Sequence, residues 1–201
     1  MIALRALLPA AWLLAGCTAL PPRQTDAPPP SYPAHAQRIA DIKTFALNGR
    51  IAVLTEKKGF SGGMRWHHHT EGDEIGFYSP IGTQLGQLSA TPEGVTLKTS
   101  DQKTYAATDA ETLTQQTLGW RLPMAGLHDW VLGRPATGES EVLAWDTAGH
   151  IQHMRQQGWD IEYPLYTDVD GRQLPGKVIL KSPGLDVKLV VEQWVGVQTG
   201  E

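Results

Sequence analysis

The chain has one cysteine among its 201 residues, so it can close no disulfide within itself. It has no apolar run of membrane-spanning length. The best candidate, Ile2 to Ala15, is interrupted by Arg5 and Pro9 and falls short of the about 20 residues that a spanning helix needs. It has no cationic surplus. With 17 Lys and Arg against 21 Asp and Glu, the formal net charge is −4, which argues against a nucleic-acid partner. No internal repeat of fixed period is visible, which sets aside solenoid architectures.

What the chain does have is a particular setting for its cysteine. Leu13-Leu14-Ala15-Gly16-Cys17 follows a short apolar stretch headed by Arg5. A positive residue, an apolar stretch and small residues before a cleavage point form a secretory signal. The Leu-Ala-Gly-Cys spacing is that of bacterial lipoprotein precursors, in which the peptidase cuts before the cysteine and the thiol carries lipid. The plain alternative is a cleaved signal followed by an incidental cysteine. An unpaired thiol in a secreted chain calls for an explanation, and lipidation at Cys17 supplies one. Losing residues 1–16, with Arg5 as their one charge, moves the net charge to −5.

Residues 17–33 form the expected tether. Pro21, Pro22, Pro28, Pro29, Pro30 and Pro33 make it extended and stiff, with a reach of roughly 50 Å from the bilayer. Each acyl methylene buried in a membrane adds about 0.8 kcal/mol, so more than one chain on Cys17 gives stable anchoring. Thr18 rather than Asp after the cysteine matches lipoproteins sorted to the outer membrane of two-membraned bacteria, facing the periplasm.

Residues 34–201 form one domain, large enough for its own core. Its start is helical: Ala36, Ile39, Ala40 and Lys43 recur on one face of a helix spanning Tyr32 to Lys43. From Phe45 the period becomes two. Phe45, Leu47, Gly49, Ile51 and Val53 share a face, as do Phe60, Gly62, Met64, Trp66 and His68, then Ile75, Phe77 and Ser79. Short strands follow at Leu85–Ala90, Gly94–Thr99 and Lys103–Ala106. A helical interlude has a capping box at Thr108 and Glu111 and a stop at Gly119. A second short helix carries Leu127, Trp130 and Val131 and ends at Gly133 and Pro135. Strands resume at Glu141–Trp145, His150–Arg155, Trp159–Tyr163, Lys177–Lys181 and Asp186–Trp194. The expected fold is mainly β: an antiparallel sheet or barrel of about 11 strands, curved so that its open side is capped by the helices.

Several short motifs suggest chemistry and fail on context. Gly59-Phe60-Ser61-Gly62-Gly63 matches G-x-S-x-G, but a nucleophile elbow needs a following helix, and Met64-Arg65-Trp66-His67 continues as a strand. Gly171 to Lys177 matches most of a phosphate loop, yet Val178 stands where the Mg²⁺-binding hydroxyl belongs. His67 and His69 share a strand face while His68 points away, an incomplete metal site. No carboxylate pair stands out as an acid/base couple. The expectation is a non-enzymatic protein without cofactor or metal. A lipid-anchored serine hydrolase using Ser61 and a purely structural envelope lipoprotein are the rivals. Trp66, Trp120, Trp130, Trp145, Trp159 and Trp194 are the richer signal. Large aromatics fill cores, and on the concave face of a half-barrel they also make an apolar pocket. Ser79-Pro80-Ile81-Gly82 places an apolar side chain at a hairpin tip, where polar residues are usual.

These segments together resemble the LolB family of outer-membrane lipoproteins. The resembling stretches are Phe45-Ala46-Leu47-Asn48-Gly49-Arg50-Ile51-Ala52-Val53, Phe60-Ser61-Gly62-Gly63 with Trp66, and Ser79-Pro80-Ile81-Gly82. Leu118-Gly119, Leu122-Pro123, Leu127-His128-Asp129-Trp130-Val131-Leu132-Gly133, Gly158-Trp159-Asp160-Ile161-Glu162-Tyr163 and Leu174-Pro175 complete the set. Ile81 stands where the family commonly has Leu, which keeps the tip apolar. The resemblance implies an incomplete antiparallel β-barrel with a helical lid that receives acylated lipoproteins from the periplasmic carrier LolA and inserts them into outer-membrane lipid, acting as a monomer. It implies a membrane-inserting loop at Pro80, Ile81 and Gly82. Its acyl-chain cavity would be lined by Phe45, Leu47, Ile51, Met64, Trp66, Phe77, Leu127 and Trp130.

Overall fold

The structure, a computed structural model, describes residues 27–117 and 121–200. Cys17, Leu118, Gly119 and Trp120 lie outside the described residues. An N-terminal helix, α1 (Tyr32–Ala40), leads into six strands: β1 (Ile42–Thr55), β2 (Gly59–His69), β3 (Gly72–Tyr78), β4 (Gln84–Thr91), β5 (Gly94–Thr99) and β6 (Thr104–Ala107). Two short helices follow, α2 (Ala110–Thr117) and α3 (Met124–Val131). Five strands complete the chain: β7 (Ser140–Trp145), β8 (Ile151–Gln156), β9 (Trp159–Val169), β10 (Arg172–Ser182) and β11 (Leu185–Thr199).

The strands form a single antiparallel sheet in the order β6-β5-β4-β3-β2-β1-β11-β10-β9-β8-β7. The first and last long strands, β1 and β11, meet at its centre and pair from Ile42↔Thr199 to Thr55↔Leu185. The sheet does not close: β6 and β7 remain edges, and α2 and α3 connect them in sequence across the open side. This is the expected incomplete barrel with a helical lid. Alternation fixes which face is inside. In β1, Phe45, Leu47, Gly49, Ile51 and Val53 are all buried while Arg50 and Leu54 are exposed. Among the described residues the buried core runs from Ile39 to Val191.

Local details differ from the sequence reading. α1 ends at Ala40, and β1 begins at Ile42. The helix buries His35 and Ile39, whereas Ala40 and Lys43 are exposed. Pro33, expected to end the tether, sits in the first turn of α1, where a missing N–H is harmless. The cap of α2 is Asp109, whose carboxylate accepts the Thr112 N–H at 2.7 Å, and not Thr108. β9 and β10 run well beyond their expected ends, through Pro164 and Pro175. The β9–β10 register shifts between Pro175 and Lys177, a bulge that tolerates a residue without an N–H.

Candidate functional site: a lid-covered interior and its mouth

Antiparallel pairing puts the β1–β2, β3–β4, β5–β6, β8–β9 and β10–β11 connections at one end of the sheet, here called the mouth. α1 packs at the other end, beside the β7–β8 turn: the Ser31 hydroxyl donates to the Thr147 carbonyl, and Tyr32 meets Trp145 edge-on at 5.9 Å. Between sheet and lid lies a cavity of about 20 Å³, walled by Ile51, Met64 and Trp66, by Leu122, Leu127 and Val131, and by strands β10 and β11. That is room for about one water molecule. The interior is therefore apolar but closed, and an acyl chain enters only if the lid moves.

The eight residues expected to line the cavity are all buried. Ile51, Met64, Trp66 and Leu127 converge on it. Phe77 lies nearer the mouth and lines a separate pocket. Phe45 packs against Trp66, His68 and Trp194, and Trp130 lies beside Trp159. Leu47 is a core residue outside either pocket lining. The sequence reading missed Val178, Leu180, Val187 and Leu189, which form the opposite wall. Their period-two spacing was the available signal.

The lid is held by the apolar packing of Leu113, Leu122, Leu127, Trp130 and Val131 and fastened by a few polar contacts. Trp130 Nε1 donates to Gln156 Oε1 at 2.8 Å, and Gln156 also exchanges two hydrogen bonds with the Ala136 backbone. The Leu122 N–H donates to the Thr114 hydroxyl, itself bonded to the Ala110 carbonyl. At the other edge, Asp73 accepts from Trp66 Nε1 at 2.7 Å and pairs with His68 Nδ1 at 2.8 Å. His68 stacks on His128 of α3. His128 contacts Asp129, and Arg134 bridges Asp129 to the Ala40 and Ile42 carbonyls. The hydrogen bond to Asp129 raises the His128 pKa above its ordinary value, against the opposing effect of burial. Burial opposes ionisation of Asp129, but His128 and Arg134 together hold its pKa below the usual carboxylate range.

At the mouth, the β3–β4 loop closes on itself. The Gly82 N–H donates to the Ser79 carbonyl, the Ser79 N–H to the Thr83 carbonyl, and the Thr83 N–H to the Ser79 hydroxyl. Pro80 fixes its own φ, and Gly82 adopts φ +86, which L side chains rarely take. With its polar groups paired internally, the loop holds Ile81 outward at 90% exposure, the highest among the exposed large apolar residues.

The rejected motifs resolve into ordinary strand structure. Ser61 is exposed within β2, paired with Ala52, and no helix follows it. Gly171 is the β9–β10 turn and Lys177 lies inside β10. His67 and His69 stack with centroids 6.3 Å apart, and among the described residues no group of three metal-binding side chains occurs. Among the described residues no helix is long and apolar enough to cross a membrane.

Fold and site together define a class: an open antiparallel half-barrel with an apolar interior under a short-helix lid. The family profile described as "Outer membrane lipoprotein LolB" matches residues 43–194. The outer-membrane lipoprotein LolB of Thiobacillus denitrificans is 37% identical over 185 residues, covering 92% of each chain. That of Pseudomonas putida strain GB-1 is 32% identical over 191 residues, covering 94% of this chain and 93% of its own. A solved structure of a DUF1329 family protein from Desulfovibrio piger, 5% identical, shares the fold with a TM-score of 0.50 over 84% of this chain and 91% of its own. The chain belongs to the LolB family and is an outer-membrane lipoprotein of the lipoprotein-localisation pathway of Gram-negative bacteria.

Proposed function

We propose that this protein accepts lipoproteins from the periplasmic carrier LolA and inserts them into the outer membrane, without enzymatic chemistry. The observation that carries the reading is the apolar, nearly filled interior beneath a lid of two short helices. Two eight-residue helices, seated on the sheet by Leu113, Leu127, Trp130 and Val131 and by a handful of polar contacts, make none of the strand ladder's hydrogen bonds and so form a part that can open without unravelling the sheet. Carrying several acyl chains through water exposes dozens of methylenes at about 0.8 kcal/mol each, and an opened interior removes most of that penalty. Transfer then runs downhill in affinity, from carrier to receptor to bilayer. Cys17, as the lipid-bearing residue, keeps the domain beside its delivery membrane through the proline-rich tether. Pro80, Ile81 and Gly82 present the apolar tip that disturbs the bilayer during release.

The test is to mix the chain from Ala27 onward, which contains every strand and core residue among the described residues, with lipoprotein-loaded LolA and to follow the lipoprotein by co-elution. Stoichiometric movement onto this chain supports the reading. Lipoprotein that stays on LolA, with the half-barrel folded by circular dichroism, overturns it.

A further inference from the structure

A second apolar pocket lies outside the lid. It has a volume of about 190 Å³, against about 20 Å³ for the lid-covered interior. Val53, Phe77 and Leu97 form its floor at 3%, 8% and 2% exposure, and Phe60 and Leu85 form its sides. Phe60 and Phe77 meet edge-on with centroids 6.4 Å apart. Leu85 lies two residues beyond the loop that carries Ile81.

The polar groups at the rim are few. The Thr55 hydroxyl is held by the Lys58 carbonyl and amide, and the Thr99 hydroxyl is bonded to Asp101. That leaves Lys58, which is exposed and makes no ion pair among the described residues; the one carboxylate in its own turn is that of Glu56. An apolar slot ready-formed while the interior is shut, with one cation at its edge, suits a single alkyl chain that carries an anionic head group.

We propose that this mouth pocket holds one acyl chain of a membrane phospholipid, with its phosphate on Lys58. The proposal rests on the reading that the Ile81 end faces the bilayer. The acylated cysteine of a lipoprotein offers ester, amide and thioether groups but no phosphate, so the Lys58 charge favours the bilayer's own lipid as occupant. Drawing in one lipid chain beside Ile81 would hold the mouth against the membrane while the lid-covered interior stays available for cargo.

The experiment titrates the chain from Ala27 onward with a medium-chain lysophosphatidylglycerol below its micelle concentration, and in parallel with the monoacylglycerol of the same chain length. Binding is read by calorimetry and by the amide shifts of Gly86 and Leu97. The expected result is one lysophospholipid per chain. Lys58→Glu weakens it about tenfold while leaving monoacylglycerol binding unchanged, and Leu85→Asp weakens both ligands at least about tenfold. Leu85 is 37% exposed, so its replacement leaves the fold in place. Equal affinity for the two ligands, or indifference to both substitutions, overturns the proposal. So does stoichiometric displacement of the lysophospholipid by a triacylated cysteine peptide, which would assign the pocket to cargo. Lipoprotein acceptance from LolA is measured on the same preparation. Acceptance without lysophospholipid binding sinks the pocket alone, whereas lysophospholipid binding without acceptance sinks the transfer function.

Discussion

His68 of β2 and His128 of α3 stack face to face, with ring centroids 5.0 Å apart and planes within 8°. One imidazole belongs to the sheet and the other to the lid, so the stack is a seam that opening must break. His68 is tied to Asp73, and His128 to Asp129, which Arg134 also holds.

His128 ties the stability of the fold to pH. In the folded chain the hydrogen bond to Asp129, its neighbour on α3, raises its pKa against burial. The folded state is therefore favoured by that charge at and below the ordinary value of 6.5, and the contribution is lost as pH rises through the raised value. The urea midpoint should fall between pH 6 and pH 8.5 by more in the wild type than in His128→Gln. An equal fall in the two proteins contradicts the role of His128.

Gln156 fastens the other edge of the lid. It is 3% exposed and satisfies Trp130 Nε1 together with both backbone groups of Ala136. Gln156→Met fills similar space but leaves two donors and one acceptor unpaired in the core. At about 1–3 kcal/mol for each orphaned group, the loss of stability should reach about 3 kcal/mol. A lower urea midpoint at unchanged slope measures it. A midpoint equal to wild type means that the lid is held by apolar packing alone.

The strands near the middle of the sheet were legible because one face is buried along their whole length. The alternation Phe45, Leu47, Gly49, Ile51, Val53 carries that information by itself. The α1 face was not legible. His35 and Ile39 turn inward because the helix docks on Tyr166 and His150, more than a hundred residues away, and no local period encodes that surface. β9 and β10 read as too short because Pro164 and Pro175 are strand breakers in isolation, and a bulge between partners absorbs them here. Within the site, Ile51, Met64, Trp66 and Leu127 were found by facing direction. The separation of a closed interior from an open mouth pocket was not, since it depends on how far the lid reaches.

The α1 dock should fail in acid. His35 is buried at 4% exposure, its Nε2 has no partner, and its ring meets those of His150 and Tyr166 edge-on. Burial, with the neighbouring His150 and Arg38 and against Asp146, lowers its pKa from 6.5 to about 4. The unfolded chain then binds a proton that the folded one refuses, so stability falls as pH drops from 6.5 towards 4, by up to about 3 kcal/mol. His35→Leu should flatten the pH dependence of the thermal midpoint over that interval. A slope as steep as that of wild type would mean that other groups cause the acid loss.

Replacing Ile81 should separate membrane delivery from cargo acceptance. At 90% exposure in a loop that satisfies its own hydrogen bonds, it contributes almost nothing to folding, so Ile81→Glu should leave the unfolding free energy within about 0.5 kcal/mol of wild type. The lid-covered interior is walled by Ile51, Met64, Trp66, Leu122, Leu127 and Val131 together with β10 and β11, so uptake from LolA should proceed normally in this variant. Release should not. A carboxylate at the tip resists entering the acyl boundary of the bilayer, whereas an isoleucine gains from it. Incubating lipoprotein-loaded protein with outer-membrane vesicles and separating them by sedimentation reads the step directly. Cargo should remain on the Ile81→Glu protein and move to vesicles with Ile81→Leu. Normal delivery by the glutamate variant would show that the apolar tip plays no part in insertion.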